Sequence, residues 1–323
     1  MIRSAIVTLA LICGATSVAS QDLVLQAPID CSLGDDCYIQ QYVDHIKGKG
    51  VGDFRCASLS YQGHKGTDFA LRTLNQMRVG VDVLAAAPGV VRGARSGVKD
   101  EIYSAENAER VKGRECGNGV VIRHGGGWET QYCHLKNGSL QVKKGQKVEA
   151  GTVLGQIGLS GRTQFPHVHL SVRKNGKVVD PFDPDGNIVC GTPEKDVLWA
   201  KPLPYRPGGI LYAGFSDRVP EFTDVKSGRA AVTSLPADAP AIVIFGLGFG
   251  AQKGDDMRLV LKGPSGVMLD ETIAVKKNQA QLFKAVGKRL KKRNWPSGRY
   301  SGSVSLVRDG KVINSKQAKI IIE

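Results

Sequence analysis

The chain has 323 residues, of which 41% are hydrophobic and 23% charged, with 40 glycines, which suits a turn-rich globular chain of two domains and excludes wholesale disorder. A formal charge of +14 points to an anionic partner, yet aromatics are only 6% and no nucleic-acid module is recognisable, which argues against nucleic acid.

Residues 1–20 carry one early positive charge at Arg3, an apolar run over 5–12, and the small-residue pattern Val18-x-Ser20 before Gln21. This predicts a cleaved secretory signal peptide, too short to span a bilayer. Cys13 follows bulky Ile12, which argues against a lipid-anchored cysteine. No later run approaches a membrane span, so a mature chain without a transmembrane segment is expected, exported to a periplasm or beyond the cell. Six cysteines then remain, Cys31, Cys37, Cys56, Cys116, Cys133 and Cys190. An even number in an exported chain predicts up to three disulfides, their pairing open, and the lack of any CxxC pair argues against a cysteine metal site.

Residues 21–60 form a cysteine-containing segment with a short helix expected around 38–46. From residue 63 to 181 the text consists of short apolar segments cut by glycine, at 81–87, 90–94, 120–124, 129–135, 153–157, 167–172 and 177–179. Such spacing predicts a mainly antiparallel β domain, with hairpins at Gly125-Gly126-Gly127 and Asn175-Gly176. KPLPYRPGG at 201–209 marks a linker. Beyond it, strands at 241–245 and 259–261, and the one-face sets Tyr300/Val304/Leu306 and Ala318/Ile320/Ile322, predict a small β-sandwich over 210–323. Residues 276–293 hold eight Lys or Arg, with Leu282, Val286 and Leu290 at four-residue intervals. They read as a basic amphipathic helix docking on envelope or lipid, or as a solvated helix or loop packed on the sandwich.

Four of the six histidines lie in three contexts. In GHKGTD, His64 and Asp68 can converge on a cation as the chain enters a strand. In PHVHL, His167 and His169 share one strand face while Val168 and Leu170 face the core. In TQYCHL, strand alternation puts Thr130, Tyr132 and His134 on one face, with Cys133 and Leu135 inward. Two histidines and a carboxylate are the donor set of a catalytic zinc shell with one position left for water, whose pKa the metal lowers. Further histidines nearby can shuttle a proton and stabilise an oxyanion. Which imidazole of the PHVHL pair would be a ligand stays open on spacing alone.

The order GHKGTD, YCHL, PHVHL, together with VLAAAPGVV, GNGVVIRH, VKKGQKVEAGTVLGQIGLSG and DPF, resembles the M23 zinc metallopeptidases (LytM/lysostaphin-like, peptidoglycan DD-endopeptidase type) over about residues 60–183. The resemblance implies a duplicated-hybrid-motif-like antiparallel sheet with a groove, over 61–200, followed by the Ig-like β-sandwich. It implies one Zn2+ held by His64, Asp68 and His169, with His134 and His167 as the catalytic pair. It also implies hydrolysis of peptide bonds in peptidoglycan stem peptides or cross-bridges by attack of zinc-bound water. The alternative is a non-catalytic or latent envelope-binding protein that activates other wall hydrolases. In that reading residues 21–60 pack on or cover the groove, or the C-terminal domain recruits an envelope protein or an anionic surface. A metallopeptidase acting on ordinary proteins is a third expectation. His124 reads as structural or as part of the groove wall, His45 has no assigned role, and Arg162, Thr163 and Gln164 are candidates for the groove wall.

Overall fold

The computed structural model describes residues 23–188, 190, 196–291 and 293–323; the expected signal peptide lies outside the described residues. The first half contains β1 (Cys37–Gln41), β2 (Thr67–Leu71), α1 (Leu74–Val79), β3 (Asp82–Leu84), β4 (Gly89–Arg95), α2 (Ala108–Val111), β5 (Asn118–Gly125) and β6 (Trp128–Leu135). It continues through β7 (Lys147–Val148), β8 (Val153–Gln156), β9 (His167–Lys174) and β10 (Lys177–Val179). The second half holds β11 (Gly209–Ser216), α3 (Phe222–Ser227), β12 (Ser234–Leu235), β13 (Ala241–Ala251) and β14 (Asp256–Gly263), then β15 (Gly266–Ala274), β16 (Gln279–Arg289), β17 (Gly298–Arg308) and β18 (Lys311–Ile322).

An eight-stranded antiparallel sheet in the order β1-β2-β9-β6-β5-β4-β7, with β10 paired to β9, organises the first half, and β3 pairs with β8 beside it. One face of this sheet is apolar: Phe69, Leu71, Val120, Ile122, Tyr132, Val168, Leu170 and Val172 are at most 1% exposed and share a core with Leu25 and Ile29 of the N-terminal segment. Burying each such large side chain contributes about 1.5–3 kcal/mol, so this face fixes the register of the strands that carry the polar one. Three disulfides, Cys31–Cys37, Cys56–Cys190 and Cys116–Cys133, brace it.

The second half is also β, with one sheet in the order β11-β13-β16 and another in the order β12-β18-β17-β14-β15. Between them lies a core of Ile242, Ile244, Leu259, Leu261, Val304, Leu306, Ile320 and Ile322, on the alternating faces read from the sequence. Among the described residues, no helix is long and apolar enough to cross a membrane.

Two local expectations are corrected. Residues 38–46 contain strand β1 rather than a helix: Tyr38 and Ile39 are buried on opposite faces, one against Phe249 of β13 and one in the first core. Residues 276–293 contain strand β16 rather than an amphipathic helix. Four-residue spacing is an even number, so Leu282 and Val286 also share a strand face, and they pack against the second core.

Candidate metal centre and catalytic groove

The polar face of the main sheet is set by its ladders. Residues directly opposite in an antiparallel pair share a face. Asp68 stands opposite His169 and Ala70 opposite His167, while Cys133 of β6 stands opposite His169 on the other side. His64 reaches the same point from a turn closed by its amide donating to the Tyr61 carbonyl at 2.9 Å, with Gly63 at φ 75°. Gly66 lets the turn pass β9, since a Cβ there would lie 2.5 Å from the Leu170 carbonyl oxygen and 2.6 Å from His169 Nε2.

Three donor atoms meet: His64 Nε2 to Asp68 Oδ1 is 3.2 Å, His64 Nε2 to His169 Nδ1 is 3.1 Å, and His169 Nδ1 to Asp68 Oδ1 is 2.8 Å. His64 Nδ1–H donates to the Tyr42 carbonyl at 2.6 Å, so in the neutral ring Nε2 offers a lone pair. A triangle with these edges has its centre about 1.8 Å from each corner, slightly inside the roughly 2.0–2.2 Å that zinc bonds to nitrogen and oxygen need, so an ion fits just above its plane. The donor set thus fits a divalent cation. Cys31, Asp36 and Cys37 also lie close together, but their two sulfurs are joined to each other and cannot act as thiolate ligands.

The electrostatics agree. Burial alone would raise the Asp68 pKa, but the His64 and His167 imidazoles outweigh it and hold the carboxyl well below its usual range. Burial pushes His64 down, yet the Asp68 carboxylate outweighs it and raises His64 overall, so the pocket favours positive charge at this point. Burial lowers His169 despite Asp68, and burial followed by the neighbouring His167 and His169 lowers His134 strongly, keeping that ring neutral.

The two remaining imidazoles flank this triangle. His134 and His167 have ring centroids 4.7 Å apart, and His134 lies 6.1 Å from His169. His134 Nδ1–H donates to the Ser160 carbonyl at 2.8 Å, leaving Nε2 free as an acceptor. His167 Nδ1–H lies 3.0 Å from the Phe165 carbonyl and 3.1 Å from Thr163 Oγ1, while its Nε2 is 3.4 Å from Asp68 Oδ1.

The expected face of β6 is reversed at Thr130, Tyr132 and Cys133, while Leu135 points inward as expected. Thr130, Tyr132 and Leu135 are fully buried on the core side, while Gln131 and Cys133 share the groove face. His134 joins the groove because β6 carries one extra residue opposite β5, where Val120 pairs with Tyr132 but Asn118 with Leu135, and because His134 itself adopts φ 66°. Alternation cannot foresee a bulge. His124 is structural, its two ring nitrogens bonded to the Pro88 carbonyl and Thr130 Oγ1 at 2.7 Å each. His45 sits behind the site, 2.7 Å from Asp180 and 3.6 Å from Asp183.

Of the candidate wall residues, Arg162 lies over the Tyr103 ring, and Thr163 is buried beneath His167, a support that spacing did not suggest. Also unforeseen are Tyr42, Ser160 and Phe165, whose ring stacks on His167 at 4.4 Å. Phe165 further packs against a buried cluster in which Tyr38 and Ala70 meet Leu211, Phe245 and Leu247 of the second half.

Residues 62–181 match Peptidase family M23. The chain is 33% identical over 134 residues to peptidoglycan DD-endopeptidase ShyA of Vibrio cholerae, covering 42% of this chain and 26% of that protein. It is 39% identical over 93 residues to DD-carboxypeptidase/endopeptidase Mpg of Neisseria meningitidis, covering 28% of this chain and 20% of the relative. The chain therefore spans about a quarter or less of the length of these relatives. The catalytic domain of the prophage-encoded M23 protein EnpA from Enterococcus faecalis aligns over 49% of this chain and 95% of that one, at 25% identity and a TM-score of 0.33. All five groove residues lie within the stretch, residues 62–181, that matches peptidase family M23.

Proposed function

We propose that this chain is a zinc-dependent endopeptidase that hydrolyses peptide bonds in the stem peptides or cross-bridges of peptidoglycan. The observation that carries this reading is the meeting of His64 Nε2, Asp68 Oδ1 and His169 Nδ1 within 3.2 Å of one another, beside two further imidazoles on the polar sheet face. His64, Asp68 and His169 would hold the ion. Bound there, zinc supplies a Lewis acid for the scissile carbonyl and acidifies a water.

The chain's own residues do the rest. The Ser160 carbonyl holds His134 in its Nδ1–H form, so Nε2 accepts a proton from the attacking water and returns it to the leaving amine. His167, oriented through Nδ1–H by Thr163 and the Phe165 carbonyl, turns Nε2 to the groove, where that nitrogen, once it also carries a proton, donates to the developing oxyanion. Tyr61, half-exposed and stacked on His64 at 4.3 Å, forms the lip of the site.

The substrate class is supported by relatives named as peptidoglycan endopeptidases and by the positive charge of the chain. Three disulfides suit an oxidising, extracytoplasmic location such as the periplasm. The second half, from residue 210, is assigned to contact with envelope protein or anionic surface, its charge carried by Lys284, Lys288 and Arg289 of β16.

The test joins metal analysis to digestion of purified peptidoglycan with mass spectrometry of the products. About one zinc per chain and new muropeptides are expected, with release abolished in His169→Ala and His134→Ala. Zinc-loaded protein that leaves the wall intact would favour the regulatory alternative.

A further inference from the structure

His134 is held in a backbone conformation that residues with a Cβ rarely adopt, at φ 66° in the bulge of β6. Something must hold it there. Two hydrogen bonds do so directly: the His134 amide donates to the Cys116 carbonyl at 2.8 Å, and His134 Nδ1–H donates to the Ser160 carbonyl at 2.8 Å.

Both acceptors belong to one layer. The turn over residues 114–118 lies against the 160–162 loop so closely that a Cβ on Gly117 would sit 2.3 Å from the Ser160 carbonyl group. The Asn118 amide donates to Ser160 Oγ at 2.9 Å, and the Arg162 amide donates to the Glu115 carbonyl at 2.8 Å. This turn ends a long excursion between β4 and β5 whose residues 112–115 are exposed and bury no apolar side chain of their own. Besides these bonds and that of Arg95 Nε–H of β4 to the Gly117 carbonyl at 2.7 Å, one tie to the sheet is covalent: the Cys116–Cys133 disulfide enters β6 one residue before His134. Gln131 Nε2 donates to Cys116 Sγ at 3.3 Å on the same face.

We propose that the Cys116–Cys133 disulfide is a positioning device for the reaction: by clamping the 114–118 turn to β6 it fixes the backbone and ring of His134, while the metal-binding triangle stands without it. His64, Asp68 and His169 rest on the Tyr42 carbonyl, the β2–β9 ladder and one another, none of which passes through the turn. The inference rests on the endopeptidase reading for its kinetic consequence, but not for its structural one.

The test is the double variant C116S/C133S of the full chain, compared with C31S/C37S, which removes a disulfide remote from His134. With a soluble cross-linked muropeptide as substrate, C116S/C133S is expected to keep about one zinc per chain and a KM within about twofold, while kcat falls between about tenfold and a hundredfold, the scale of a misplaced acid–base group. C31S/C37S should keep kcat. Independently of activity, 15N NMR of the histidine rings should show the fixed Nδ1–H form of His134 in the wild type and an averaged tautomer in C116S/C133S.

An unchanged tautomer signal and unchanged kcat in the folded, zinc-loaded double variant would overturn the proposal. So would an equal loss of kcat in C31S/C37S. If the zinc-loaded wild type cleaves no muropeptide, the endopeptidase reading fails and the ring spectrum alone decides the positioning role. If C116S/C133S does not fold, wild-type protein reduced at this bond by a water-soluble phosphine replaces it. Mass-mapped alkylation then identifies the opened cysteines, and the same spectrum supports or overturns the claim.

Discussion

Thr163→Val is the sharpest probe of the groove, because it alters a support of His167 without touching a metal donor. Thr163 is 4% exposed; its hydroxyl donates to the Phe165 carbonyl at 2.8 Å and accepts from His167 Nδ1–H at 3.1 Å. Valine keeps the shape and deletes both bonds, together with the long one that the Phe165 amide donates to the hydroxyl at 3.4 Å. The Phe165 carbonyl is not left bare, since His167 Nδ1–H still reaches it at 3.0 Å, so the loss is about one net hydrogen bond, roughly 1 kcal/mol. That lowers Tm by a few degrees. The ring, however, keeps one tether of two, and a comparable free-energy loss in the transition state lowers kcat by up to about tenfold. Zinc content and KM should hold, and Thr163→Ser should restore most of kcat. The assay is steady-state cleavage of a soluble muropeptide alongside a thermal melt. A lowered Tm with kcat unchanged would refute the support of His167, and loss of zinc would place Thr163 among the supports of the metal instead.

Three further outcomes follow from measured contacts. Gly66→Ala should weaken zinc binding more than about tenfold in a chelator competition, because its Cβ would displace His169 or the backbone of Leu170. His45→Gln should destabilise the protein more at pH 6 than at pH 9 in urea titrations. Burial lowers the His45 pKa but Asp180 and Asp183 outweigh it, so the folded value lies above the ordinary one of about 6.5, and the stabilisation is full below that value and lost as pH rises through the folded one. Arg308→Ala should cost about 3–5 kcal/mol in the same titration, since it strands Asp255, whose side chain is 2% exposed, and removes donors to the Pro207 and Gly250 carbonyls.

The parts of the site that follow from regular strands were legible in the sequence. His167 and His169 point one way and Val168 and Leu170 the other, because β9 keeps its alternation and its apolar face is buried. The hairpins at Gly125–Gly127 and Asn175-Gly176 were legible for the same reason: turn chemistry is local. Legibility ended where long-range packing decides. Alternation misplaced Tyr132 and His134 because a bulge depends on the partner strand. The run around Tyr38 shows no clean period because strands more than two hundred residues away cover its second face. The basic segment around Leu282 was ambiguous because a spacing of four fits a helix and a strand equally, and only pairing with β13 distinguishes them. Cysteine pairing is long-range by nature, and here it joins residues 134 positions apart in Cys56–Cys190.

The groove combines two kinds of construction. The three side chains proposed to hold zinc stand on a ladder and a tight turn, where the apolar face fixes register. Its flanking imidazoles stand at irregular points and are propped from one loop, residues 158–166: Ser160 holds His134, while Thr163 and Phe165 hold His167. The far end of that loop is Phe165, which stacks on His167 and packs against the buried cluster that Phe245 and Leu247 of the second half share with Tyr38 and Ala70. The C-terminal sheets are thus part of what fixes His167, whatever partner they also meet. A chain cut at residue 209 would leave Tyr38, Ala70 and Phe165 without their apolar cover. Lost activity in such a truncation would report on the support of His167 before it reported on recruitment to the wall.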